Sequence, residues 1–260
     1  MLKLQRSPSD TENQKLKKLL RRRGQNNVAY AAAHAAKPGA NETDVLLLGG
    51  RGPVDFRLRV AQSHARDDLM PSAWSHAAIV SPQGKAAAKR VVYEIPLTTQ
   101  AGVGYPPASN GVQETPLAFY EDPDAYPNVA LLRVPVAFKS VERIIADFRH
   151  QRTVMDALEL QLTWWAFAWG VGRATNPLFD DFGLPSAAFV EYVISAAGYD
   201  LVPGFPSRSS CPESIWQAAR WWHEHPRATT PDVSDAPAPL PPVAGVYDAE
   251  HYLVPKPSSA

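Results

Sequence analysis

From Ser140 the hydrophobic pattern switches to the helical period, after a middle that is mostly strand. Upstream lie short apolar runs bounded by glycine and proline: Asp44–Leu48, HAAIV at 76–80, RVVYEIPL at 90–97 and NVALLRVPV at 128–136. Such runs read as strands. HAAIV and RVVYEIPL, joined by the turn SPQGK, form an expected hairpin, and VDFRLRVAQSHA at 54–65, between the first two runs, reads as a helix. Strands grouped this way favour an antiparallel sheet over alternating βαβ units. Downstream, Val141, Ile144, Ile145 and Phe148 recur at i, i+3, i+4 and i+7, which is the helical period. The continuation through LQLTWWAFAWG is apolar all round and is expected to be buried. Helices over Ser186–Ala197 and from Ser214 follow, so the expected class is α+β, an antiparallel sheet packed against helices.

Both ends differ from this middle. Ser9 and Glu12 form a capping-box pattern ahead of QKLKKLLRRR, where Leu16, Leu19 and Leu20 make a narrow stripe opposite six basic residues. That helix suits an acidic partner or an anionic surface, or packs its leucines on its own domain. Residues 24–43 read as a short alanine-rich helix or a linker. From Pro226 onward eight of the 25 prolines accumulate, so an extended tail is expected. The expected division is a basic extension over 1–42, one domain over 43–225 and a proline-rich tail over 226–260.

Charge and cysteine content narrow the classes of function. Twenty-six basic and 26 acidic residues cancel, leaving no whole-protein field for nucleic acid or membrane. One cysteine, Cys211, excludes an internal disulfide and a multi-thiolate metal site. The first residues lack the apolar core of a signal peptide, and no run approaches the roughly 20 apolar residues of a membrane span. A cytoplasmic location, or export by a route that needs no signal peptide, is expected, with no transmembrane segment. GGRG at 49–52 lacks the Lys-Ser/Thr of a phosphate loop, and His223 and His225 are too closely spaced to share a helix face, so neither a cofactor nor a metal is expected.

Four segments in order carry a resemblance: TDVLLLGGRGPVDFRLRVAQ, SAWSHAAIV, RVVYEIPL with ETPLAFY and NVALLRVP, and SAAFVEYVISAAGYDL. Together they resemble the circularly permuted, NlpC-type papain-like hydrolases related to lecithin:retinol acyltransferase, over about residues 43–220. The resemblance implies a permuted papain-like fold with the histidine strand first and the nucleophile helix last. His76 would be the base, Glu94 the residue that orients its ring, and the first turn of the last helix would carry a cysteine. It further implies attack on an amide or ester carbonyl through an acyl-enzyme, with a peptide, peptidoglycan or acyl-ester substrate.

The chain departs from that pattern at the central atom, because Ser186 stands where the cysteine belongs. Three explanations are open. The serine is an engineered replacement, or it marks a natural inactive form that keeps the groove as a binding or adaptor protein, or it acts as the nucleophile itself. Each residue also has a plainer use: His76 as a strand-end histidine, Glu94 as a solvent-facing strand residue with Glu114 as rival orienter, and Ser186 as a helix cap. Cys211, ahead of Pro212 and a helix, is the rival nucleophile. The tryptophans at 164, 165, 169, 216, 221 and 222 read first as core, and otherwise as a groove for sugar or acyl chains.

Overall fold

Thr43–Gly49 (β1) is buried at every position, which explains why its sequence is continuously apolar rather than alternating. A strand buried on both sides needs cover on both faces, and the fold supplies it. The computed structural model describes residues 25–35, 41–83, 89–97, 109–151, 157–224 and 244–246. The basic segment at 15–23 and nearly all of the proline-rich tail lie outside these residues.

Six antiparallel strands form one sheet in the order β4-β3-β2-β1-β5-β6. The strands are β1, His76–Val80 (β2), Val91–Glu94 (β3), Gln113–Pro116 (β4), Asn128–Val134 (β5) and the short Ala244–Val246 (β6). The fold is therefore α+β, as the grouping of strands implies. The helices are Asn27–His34 (α1), Pro53–Ala61 (α2), Phe138–His150 (α3), Ala157–Ala168 (α4), Pro185–Ala196 (α5) and Pro212–Glu224 (α6).

The strand alternation divides the core in two. Val45, Leu47, Ala77, Ile79, Ala130 and Leu132 face the larger cluster, with Phe148, Trp164 and Phe189 from the helical layer. Leu46, Leu48, Ala78, Val80, Val92 and Leu131 face a smaller one, closed by Val28, Tyr30 and Ala31 of α1 and by Leu117 and Tyr120. Residues 27–34, expected as a helix or a linker, are thus a helix that seals the second face. Asn27 holds it there by donating to the carbonyls of Tyr120 at 2.9 Å and Tyr126 at 2.8 Å.

Helix α5 is the central element of the helical layer, buried along most of its length and packed against β2. It carries one carboxyl, Glu191, which accepts from the amide of Val202 at 3.3 Å. Burial pushes Glu191 up to about 7 from an ordinary 4.5, against the partial relief of that amide and the amide of Leu201. A raised folded-state value means the folded chain holds the proton more tightly than the unfolded one. The resulting stability is whole below 4.5 and is lost as pH rises through about 7. The loss is about 3 kcal/mol. Glu191→Gln keeps an oxygen for the Val202 amide and removes the titration. Urea midpoints measured across this range should therefore fall more steeply for the parent chain than for the variant; parallel curves would show that Glu191 ionises freely.

One expectation for the helices is corrected. The segment after residue 157 is not buried all round: α4 buries Leu160, Gln161 and Trp164 but exposes Leu158 and Leu162. It packs one face on the core and leaves an apolar face outside.

Candidate active site

The register of three neighbouring strands brings the polar residues together. Val80 lies opposite Val92, Val92 opposite Thr115, and Glu94 opposite Gln113. His76, Glu94 and Thr115 therefore sit on one face at diagonal positions of β2, β3 and β4. The side chains meet there. His76 Nε2 lies 2.7 Å from Glu94 Oε2. Tyr120 donates its phenol to the same oxygen at 2.6 Å, and Thr115 donates its hydroxyl to Oε1. Glu94 is 0% exposed and His76 14%. The solvent-facing alternative for Glu94 is thereby overturned. The rival orienter Glu114 points elsewhere, to an ion pair with Arg149 at 2.8 Å.

This arrangement fixes the histidine chemically. A carboxylate is an acceptor, so Nε2–H donates to Glu94 and the lone pair is left on Nδ1. The Tyr120 ring stacks beside the imidazole with centroids 6.1 Å apart and the planes 29° apart. Burial, and then the Glu94 charge and bond, hold the Tyr120 phenol well above its ordinary value, so it remains a donor.

Ser186 reaches the same place from the other side of the sheet. The chain enters α5 through Leu184 at the cap and Pro185 at the first position, which places Ser186 in the first turn. Its hydroxyl accepts from the amide of Ala77, the residue after His76, at 3.3 Å. The cap position itself is Leu184, so Ser186 is not the helix cap. His76 and Ser186 both line one small cleft of about 50 Å³, together with Tyr120, Tyr126, Pro96 and Leu97.

The cleft also holds a residue that the sequence pattern did not single out. Asp55 and Ser75 line it beside Val54 and Leu58. Ser75 donates to Asp55 Oδ1 at 2.6 Å and accepts from the amide of Gly50 at 3.2 Å. Burial raises the Asp55 carboxyl, while Ser75 and then His76 draw it back down. The glycines of GGRG now have a reason. A Cβ at Gly50 would stand 2.3 Å from Asp55 Oδ2, and one at Gly49 would stand 1.8 Å from the carbonyl of Ala73. A carboxylate at the third position of a helix reads as an ordinary first-turn acid, and the strand-end glycines read only as a turn.

The segment leading into His76 is fixed by a buried polar cluster. Ser72 donates to Glu213 Oε2 at 2.6 Å, Arg66 approaches Glu213 Oε1 at 3.5 Å, and Glu213 N donates to Gln62 Oε1 at 2.9 Å. Glu213 lies in the first turn of α6, so that helix and the end of α2 grip the loop before β2.

Cys211 does not join the site. It is buried in the larger core cluster and is absent from the cleft lining. Burial pushes its thiol up to about 11, the opposite of what a nucleophile needs. In the native chain Cys211 should react with Ellman's reagent only on the timescale of unfolding; rapid labelling without denaturant would contradict this burial. Trp164 and Trp216 are core residues, whereas Trp169 and Trp221 are exposed. The side chain of Trp222 and both His223 and His225 side chains lie outside the description. Among the described residues, no group of three His, Cys, Asp or Glu side chains is placed to hold a metal ion, and no helix is long and apolar enough to cross a membrane.

No family model, curated protein or solved structure matches this chain.

Proposed function

We propose that this chain has the framework of a papain-like thiol hydrolase, acting on an amide or an acyl ester, with serine at the nucleophile position. The observation that carries this reading is the His76–Glu94 pair at 2.7 Å, whose histidine lines one cleft with Ser186. A strand-end histidine with a merely structural role has no need of a fully buried carboxylate with three donors.

The chemistry follows from the geometry. With Nε2–H committed to Glu94, Nδ1 is the base, and a thiol at position 186 would pass its proton there. The imidazolium that forms is stabilised by Glu94, and the thiolate by the N-terminus of α5. Attack on the carbonyl forms a C–S bond and sends the electron pair to the carbonyl oxygen. The amides of Ser186 and Ala187 lie in the first turn, ahead of the helical bonding ladder, and are donors of the kind that hold an oxyanion. Collapse expels the amine or alcohol, which takes the imidazolium proton, and water then releases the acyl group.

With serine the first step is much harder, since a helix terminus and an imidazole gain little against a hydroxyl of far higher pKa. Ser186 itself therefore favours a second reading, a protein of the same framework that binds through the cleft without turnover. Restoring a thiol with Ser186→Cys and measuring its reactivity with and without His76 separates the two.

A further inference from the structure

Four of the eleven large apolar side chains exposed among the described residues stand on segments that are bonded to one another, while the other seven lie elsewhere. Trp169 is 66% exposed, Val171 62%, Phe179 70% and Val60 42%. Trp169 and Val171 stand on the turn that leaves α4. Gly170, Gly172 and Arg173 all take positive φ, at 68°, 61° and 57°, and the last is an uncommon conformation for a side-chain-bearing residue. A Cβ at Gly172 would have nothing within 4 Å, so the tip of the turn stands clear of the body. Its base is nevertheless tied down. Arg57 donates to the carbonyl of Ala168, Asn176 Nδ2 donates to the carbonyl of Ala61 at 2.8 Å, and the Phe179 ring lies 5.0 Å from the ring of His64. An anchored turn that keeps an indole and a valine in water calls for an occupant.

We propose that this turn docks the protein on an anionic lipid–water interface. Tryptophan is favoured at such interfaces because its ring is apolar and its N–H polar. Charge complements this choice. From residue 160 to 179 the sequence contains no acid, while Arg173 closes the turn and Arg57 lies beneath it. Two acids, Asp180 and Asp181, follow Phe179, so the arginine end is the one that approaches the lipid. A protruding tip with a handful of side chains offers far less than the roughly 800 Å² per partner of a stable protein interface.

The same helix borders the cleft: Gln161 Nε2 donates to the carbonyl of Pro96 at 3.3 Å, and Trp165 donates to that of Leu97. Pro96 and Leu97 line the cleft. Docking would hold the cleft beside the interface and select an acyl ester as the substrate; this last step rests on the hydrolase reading, while the docking does not.

Co-sedimentation of the full chain with vesicles tests the docking without reference to turnover. The chain should partition onto mixed phosphatidylcholine–phosphatidylglycerol vesicles, and the pair Trp169→Ser with Val171→Ser should lower the partition at least about tenfold. Trp169→Phe should retain most of it. Arg173→Gln should weaken binding to the mixed vesicles and leave binding to pure phosphatidylcholine unchanged. The proposal is overturned if the parent does not sediment with the mixed vesicles. It is equally overturned if the double variant binds as the parent does, which would move binding to the basic segment at 15–23. Loss of self-association in the double variant, with unchanged vesicle binding, would instead make the patch a contact between two copies.

Discussion

Ser186→Cys is expected to produce a thiol that alkylates about tenfold faster than free cysteine at pH 6. A free thiol of pKa about 8.5 is only about 0.3% ionised at that pH, whereas one lowered to about 6 is half ionised, a gain above a hundredfold. Part of this is given back, because nucleophilicity falls as basicity falls, and the net is about tenfold. Three features of the structure act in that direction: the first turn of α5, the amide of Ala77 that already donates to Oγ, and the His76–Glu94 pair. The background is clean, because the other thiol, Cys211, is buried in the core. The rate of iodoacetamide labelling against pH should show a plateau extending well below the free-thiol value. His76→Ala should remove the plateau and return the thiol to ordinary behaviour. If Ser186→Cys labels no faster than free cysteine, the hydrolase reading fails and a binding role gains.

The parts of the site that were legible in the sequence are those carried by the ordered set of motifs and by the strands and helices on which they fall. His76 and Glu94 come from the resemblance, and the strand pattern adds only that HAAIV and RVVYEIPL form a hairpin; the observed register then puts both residues on one face. A helix is expected from Ser186, with that serine as a candidate cap; the helix in fact begins at Pro185, which puts Ser186 in its first turn. What the sequence could not carry are contacts between distant segments. Thr115 and Tyr120 look like strand and turn residues until β4 is laid against β3, after which both serve Glu94. Asp55 is hidden in the same way, since its partner Ser75 comes 20 residues later. The exposed turn at Trp169 was missed for a different reason. A run that is apolar all round has no phase, so periodicity cannot say which side faces out, and burial was the expectation that the structure reversed.

Removing the Glu94 carboxylate is expected to be the most damaging single change in the site. Glu94→Ala removes the carboxylate to which the Thr115 and Tyr120 hydroxyls donate, and the bond on His76 Nε2. Breaking a buried charged cluster by removing one partner costs about 3–5 kcal/mol, because the groups left behind were desolvated for it. That is a large part of the usual 5–15 kcal/mol of a domain, so a marked drop in the urea midpoint should follow. The damage should be non-additive. Tyr120→Phe deletes a donor that has lost its acceptor, so it should cost less beside Glu94→Ala than alone. Glu94→Gln should separate stability from chemistry. It keeps the volume and one acceptor but turns an N–H₂ toward a neighbour that is itself a donor, at about 1–3 kcal/mol. It also withdraws the negative charge that supports the imidazolium. Combined with Ser186→Cys, it should leave a folded chain whose thiol reacts like a free one at pH 6. If Glu94→Ala costs less than about 1 kcal/mol, the carboxylate is not the hub that the three bonds imply. If Glu94→Gln leaves the enhanced reactivity intact, the ring of His76 is being held by something else, and the pair loses its place at the centre of the mechanism.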